Sequence, residues 1–301
     1  MTTSSSADPQ WRAQPERSNT GIIRFIVWVA LRLGRPVARL LLYPICLYFL
    51  LFSPKANAAS TKYLAKVLER KPRLADSFWQ YHCFASTLLD RVFLLNEQSD
   101  RFDIRIHGQD VAAEMRARDH GTFLLGAHVG SFEMVRAMGR KESGLRVDMV
   151  MYEENARKIN AVLNAINPKL AVDIIGLGKC GSMLKVEESL ARGDLVGMLA
   201  DRSLKGEGQM HCPFFGEPAA FPLGPFRMAT ILRRPIVLMF GLYRGGRRYD
   251  IYFEQLMDLS DVAPAQRRDL AQQALNRYVE RLEHYCRLAP YNWFNFYDFW
   301  D

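Results

Sequence analysis

The sequence predicts an α/β fold: a single domain with a mixed central sheet flanked by helices, preceded by hydrophobic helices that associate with a membrane. Three observations lead there. From Gly121 onward, short apolar runs alternate with stretches of helical spacing. Gly245-Gly246 punctuates two apolar runs, 236–243 and 249–253, as a hairpin would. Residues 60–96 carry Tyr63, Leu64, Val67 and Leu68, then Phe78, Tyr81, Phe84, Leu88, Leu89 and Val92, at helical spacing. No internal repeat or low-complexity linker divides the chain, so no second globular domain is needed.

In chain order, residues 1–20 form a polar tail rich in Ser, Pro and Gln. Two apolar runs, 22–31 and 40–52, follow on either side of Arg32, Arg35 and Arg39. Neither reaches the roughly 20 apolar residues that cross a bilayer. Residues 21–53 therefore read as in-plane or re-entrant helices, with the arginines snorkelling to lipid phosphates and Trp28, Tyr43 and Tyr48 as interfacial anchors. A buried core helix and a secretory signal ending at Ala56-Asn57-Ala58 are the competing readings. Lys55, Lys62 and Lys66 match the arginines on the other flank, so charge assigns no sidedness. Residues 54–301 are then the single globular domain.

Within it, the aromatic stripe of 60–96 reads as core. A strand at 104–106, a helix at 110–118 and a strand at 122–125 come next, followed by a strand at 146–152 and a helix around 157–166. The apolar run 194–200 ends in Asp201-Arg202, a charged pair at a strand end. A helix at 226–232, a strand at 234–240 and a long helix at 266–287 with outward charges complete the pattern. The aromatic ending, 291–300, reads as a core plug.

The chain has 40 Lys and Arg against 32 Asp and Glu, a net charge of +8, which draws it to acidic headgroups or nucleic acid. No zinc spacing, RNA-binding signature or Arg-rich arm is present, so an anionic membrane surface is expected and nucleic acid is not. Five cysteines without Cys-x-x-Cys pairs read as free thiols in a reducing compartment. His211-Cys212 lacks partners at ligand spacing and reads as structural.

The chemistry-bearing motif is Gly126-Ala127-His128-Val129-Gly130-Ser131-Phe132-Glu133, directly after the apolar run 122–125. One continuous helix would turn the His128 and Glu133 side chains roughly 140° apart. A strand ending at His128 that turns into a helix carrying Glu133 removes that conflict. The carboxylate can then hold one imidazole nitrogen and leave the other to accept a proton. With no Gly-x-Ser-x-Gly elbow to supply a nucleophile, the base serves a hydroxyl of the substrate. Direct group transfer to an alcohol is the chemistry this predicts.

With these pieces in this order, the chain resembles the lysophospholipid acyltransferase superfamily, and within it the bacterial late acyltransferases of lipid A. The resemblance runs from about Trp11 to the aromatic ending. His128 and Glu133 match the catalytic His-x4-Asp/Glu motif. Asp201-Arg202 stands where glycerophosphate acyltransferases carry a Phe-Pro-Glu-Gly-Thr-Arg block, and Phe221 to Gly224 resembles a substrate-groove element. The missing Glu-Gly-Thr-Arg argues against a glycerol-3-phosphate or lysophosphatidate acceptor and favours the lipid A-like branch.

The resemblance implies an acyltransferase on the cytoplasmic face of the inner membrane, with no cofactor. It would move a fatty acyl group from acyl carrier protein or acyl-CoA to a hydroxyl of a lipid acceptor. His128 takes the hydroxyl proton and Glu133 steadies the imidazolium. Backbone N–H groups near Gly130 and Ser131 hold the oxyanion. Asp201, Arg202, Arg157 and Arg136 bind polar or phosphate parts of the acceptor, while Phe221, Gly224, Phe214, Phe215 and Phe226 border the acyl slot or pack the core. No metal is needed. Acylation of another lipid or of an aryl-polyene-type metabolite, hydrolysis of the donor, and non-catalytic lipid binding remain alternatives.

Overall fold

The computed structural model describes residues 20–134, 146–152, 174–177, 181–202 and 208–300, with the side chains of 20–25 and 152 left aside. Its centre is a seven-stranded sheet of β1 (Asp103–His107), β2 (Thr122–Gly126), β3 (Val147–Tyr152), β4 (Ile174–Leu177), β5 (Leu195–Leu199), β8 (Ile236–Tyr243) and β9 (Arg248–Met257). The strand order is β1-β9-β8-β2-β5-β3-β4. Every pairing is parallel except the β8–β9 hairpin. The sheet is therefore mixed, as the alternating runs and the Gly245-Gly246 turn require. Every residue of β2 and β8 is buried, as expected of strands written as continuous apolar runs and covered on both faces.

Helices α2 (Pro54–Leu68), α3 (Leu74–Leu94), α4 (Gln109–Ala117), α5 (Ser182–Ala191), α6 (Gly224–Leu232) and α7 (Arg267–Leu288) surround the sheet. In α7 the buried residues Ala271, Ala274, Leu275, Tyr278, Val279 and Leu282 recur at three- and four-residue steps, so a single stripe faces the core. Tyr81 of α3 stacks on Phe296 at 4.8 Å, and Trp293 and Phe299 lie in the main core, so the aromatic ending is an internal plug.

A second hairpin, β6 (Gln209–Phe214) with β7 (Glu217–Pro222), was not expected from the sequence. Its prolines disguise it. Pro213 pairs with Pro218, and a two-stranded ribbon has an outer edge on each strand where a missing N–H costs no ladder bond. The two turn residues, Phe215 (φ 52°) and Gly216 (φ 79°), both take the left-handed conformation that matches hairpin twist.

The N-terminal segment holds two helices joined at a kink, in keeping with its two apolar runs. It forms α1 (Thr20–Phe52), interrupted only at Gly34 (φ 83°, ψ 168°), with Pro36 just beyond. The stretch Ile26–Phe52 is long and apolar enough to cross a membrane, and only about a fifth of it is buried. Its arginines do not all reach outward. Arg35 is 6% exposed and turns into the body, its Nε and Nη2 donating to both carboxylate oxygens of Asp90 at 2.7 and 2.8 Å. The Tyr249 hydroxyl donates to the same carboxylate at 2.7 Å. Arg39 donates to the Tyr243 hydroxyl at 2.6 Å. Snorkelling fails as an account of Arg35, whose guanidinium is taken up by the Asp90 carboxylate of α3 and the Gly246 carbonyl of the β8–β9 turn.

Candidate active site

Strand register builds the site. β2 and β5 run parallel with Gly126 opposite Leu199, so positions two residues beyond each, His128 and Asp201, emerge side by side at the carboxyl ends of the strands. The His128 Nδ1 lies 2.8 Å from Asp201 Oδ1, and the His128 backbone N–H donates to Asp201 Oδ2 at 3.0 Å. Trp293 completes the carboxylate's shell, its indole N–H donating to Oδ2 at 3.1 Å. With a carboxylate accepting at Nδ1, the proton of the neutral ring belongs there, and Nε2 is the basic nitrogen. The His128 side chain is 32% exposed and Nε2 makes no hydrogen bond to the described residues, whereas Asp201 is 1% exposed.

Electrostatics support a neutral base above a charged orienter. Burial and then the Arg202 cation lower the His128 pKa below its ordinary value, outweighing the pull of Asp201. Burial alone would raise Asp201, yet the His128 ring, Arg202 and the Trp293 N–H hold its carboxyl well below the usual carboxylate range. The ring is thus unprotonated near neutrality and ready to accept a proton at Nε2.

This arrangement redistributes the roles expected from the sequence. The imidazole nitrogen expected to meet Glu133 is held by Asp201, which therefore supports the ring rather than facing a substrate. Glu133 is buried in the helical turn at 132–134, with Arg91 Nε 3.9 Å from its carboxylate. The backbone N–H groups of Gly130 and Ser131, expected to hold an oxyanion, are already committed. Gly130 donates to the Asn292 carbonyl and Ser131 to the Gly241 carbonyl, each at 2.8 Å. The Ser131 hydroxyl accepts the Met134 N–H at 3.3 Å, which makes it the cap of that turn. Gly130 has φ +65°, and a Cβ there would lie 2.1 Å from the Gly241 carbonyl oxygen, so only glycine fits.

Arg202 donates from Nη2 to the Phe294 carbonyl at 2.8 Å and lies over the Tyr297 ring, tying it to the C-terminal segment. Phe221 is fully buried between Phe214 and Phe299, and Gly224 opens α6, so Phe221 packs the core rather than an open slot. Phe214 and Phe226 are equally buried. Arg136 and Arg157, the helix expected around 157–166 and Cys180 lie outside the described residues. Among the described residues no group of three or more His, Cys, Asp or Glu could hold a metal. His211 and Cys212 point to opposite sides of β6, the first exposed and the second buried.

What the sequence did not reveal is the second wall of the site. Residues 292–294 run beside the His128 turn. The Phe294 N–H donates to the His128 carbonyl at 2.8 Å, and the Asn292 side chain brackets Tyr243, accepting its N–H at 2.7 Å and donating to its carbonyl at 3.1 Å. Gln80 of α3 donates to the Trp293 carbonyl at 2.7 Å. The aromatic ending hinted at a plug, but a contact between residues 92 apart carries no local signature.

No curated protein matches the chain. The bacterial lipid A biosynthesis acyltransferase family matches it over residues 19–300, nearly its whole length and both walls of the site. The chain belongs to the bacterial lipid A biosynthesis acyltransferase family and is an acyltransferase that acts on lipid.

Proposed function

We propose that the protein transfers a fatty acyl group from acyl carrier protein or acyl-CoA to a hydroxyl of a lipid A-like glycolipid, at the cytoplasmic face of the inner membrane. The single observation that carries the mechanism is the His128–Asp201 pair, with one imidazole nitrogen held by a buried carboxylate and the other left basic. Nε2 takes the acceptor's hydroxyl proton as its oxygen attacks the thioester carbonyl. The C–S bond then breaks, and the same proton passes to the departing thiolate, leaving the ester, a free thiol and a neutral imidazole. Asp201 keeps the ring in its working tautomer and steadies the transient imidazolium. Glu133 and the basic side chains Arg136, Arg157 and Arg202 remain candidates for contact with the donor or with the acceptor's phosphates. The apolar outer face of α1 supports seating at the membrane, and the net charge of +8 supports an anionic one.

The test is acyl transfer by the purified full-length protein, with acyl carrier protein and CoA thioesters offered separately, with and without a glycolipid acceptor. His128→Ala and Asp201→Asn should each lose about 10²- to 10⁴-fold in kcat, the span of a general base and its orienter. Full turnover by Asp201→Asn would remove the carboxylate from the mechanism. Release of free fatty acid at an unchanged rate without acceptor would make the protein a hydrolase. Mass spectrometry of lipids from cells with and without the protein then names the acceptor.

A further inference from the structure

Beside the site, a cavity of about 480 Å³ is lined by Arg39 and Tyr43 of α1, Trp79 and His82 of α3, Tyr243 and Arg244 of the β8–β9 hairpin, and the segment 288–292. Among the described residues its lining holds two guanidinium cations and no carboxylate. Arg39 is fixed through Nη1 alone, to the Tyr243 hydroxyl at 2.6 Å and the Gly246 carbonyl at 3.0 Å, which leaves Nε and Nη2 without an acceptor among the described residues. Arg244 is braced by the Leu288 carbonyl at 2.9 Å and by Asp250 at 3.1 Å. Asp250 is shared with Arg248, so this hairpin cluster keeps a positive charge of its own. A cavity with this lining selects an anion.

Its surroundings say which kind. Tyr43 and Trp79 are 45% and 43% exposed, and Leu40 and Leu47 on the same helix as Tyr43 are 67% and 49% exposed. Amphipathic rings between an apolar helix face and arginines are the chemistry of the lipid headgroup level. We propose that this cavity seats the phosphate headgroup of an anionic glycerophospholipid, with the guanidiniums of Arg39 and Arg244 on the phosphate and the acyl chains along the outer face of α1. This lipid is a bound component of the membrane, not a reactant. The seat is independent of the chemistry at His128, so its test reads binding alone.

The experiment titrates the full-length protein in a nonionic detergent with dihexanoylphosphatidylglycerol, dihexanoylphosphatidylcholine and inorganic phosphate. Calorimetry and the fluorescence of Trp79 serve as readouts, with Trp79→Phe identifying the optical signal. Saturable binding of phosphatidylglycerol is expected, with phosphatidylcholine and phosphate each at least about a hundredfold weaker. Arg244→Gln should weaken it about tenfold, the worth of one charge-assisted hydrogen bond. Leu288→Glu, which puts a carboxylate into the lining from a partly exposed position, should abolish it, with thermal unfolding of both variants unchanged. Equal binding of the two lipids overturns the proposal, as does phosphatidylglycerol affinity unchanged in Arg244→Gln and Leu288→Glu. Phosphate binding as tightly as phosphatidylglycerol overturns the lipid assignment and makes the cavity a soluble-anion site.

Discussion

At Asp201 one carboxylate receives three donors, the His128 ring, the His128 backbone and the Trp293 indole, and each limits what it does for the others. The indole N–H draws charge from Oδ2, so the carboxylate grips a protonated imidazole less strongly than it would alone. Trp293 helps to hold the Asp201 carboxyl low, and the expectation is that it thereby also weakens the pull of Asp201 on a protonated His128. Trp293→Phe should raise the His128 pKa. For the proposed base, which works only when deprotonated, the rising limb of kcat against pH is expected below the ordinary histidine value in the wild type and should move to higher pH in Trp293→Phe. A purely structural tryptophan would lower the thermal midpoint and leave the limb in place, so the pH profile separates the two roles. The place of His128 at a strand end was legible in the sequence because the apolar run 122–125 leads directly to it. Its contact with Asp201 was not: Glu133 is near in sequence, whereas Asp201 is near only through the parallel pairing of β2 with β5.

At the scale of elements, the turn from β2 into the helix at 132 is held by backbone hydrogen bonds from two sides as well as by the Ser131 cap. Gly130 presses against Gly241 of β8 and donates to Asn292, so β8 and the C-terminal segment clamp it from two sides. Gly130→Ala would combine a positive φ with a Cβ 2.1 Å from a carbonyl oxygen, and neither the strand nor the turn can yield cheaply. A loss of about 2 kcal/mol or more is expected in denaturant unfolding, together with lost transfer activity. Gly245→Ala, in the exposed hairpin turn where a Cβ meets nothing within 4 Å, should cost less and spare activity. The β8–β9 hairpin was readable because paired glycines flanked by apolar runs have one common use. The β6–β7 hairpin was not, because Pro213, Pro218 and Pro222 argue against strands unless both strands are known to be edges.

For the whole molecule, the question is how the apolar N-terminal segment is joined to the globular body. A flexible tether would leave α1 free of the domain, but Arg35 of α1 is locked to Asp90 of α3, and Asp90 also accepts the Tyr249 hydroxyl of β9. One buried ion pair thus joins α1, the helical layer and the sheet. Hydropathy disclosed the apolar segment and its arginines; it could not disclose that Arg35 has acceptors 55 and 211 residues away. Removing one partner strands a buried charge, so Arg35→Ala should cost about 3–5 kcal/mol. Limited proteolysis in detergent should then cut between α1 and α2 faster than in the wild type. Substitutions on the outer face act differently. Leu40→Glu and Leu47→Glu, at exposed positions, should leave thermal unfolding unchanged and shift the protein from the membrane pellet to the supernatant on ultracentrifugation of vesicles. If those variants stay with the vesicles while Arg35→Ala does not, the attachment runs through the body and not through the apolar face of α1. The opposite pattern assigns membrane contact to that face and leaves the ion pair the separate task of holding the site at a set height above the bilayer.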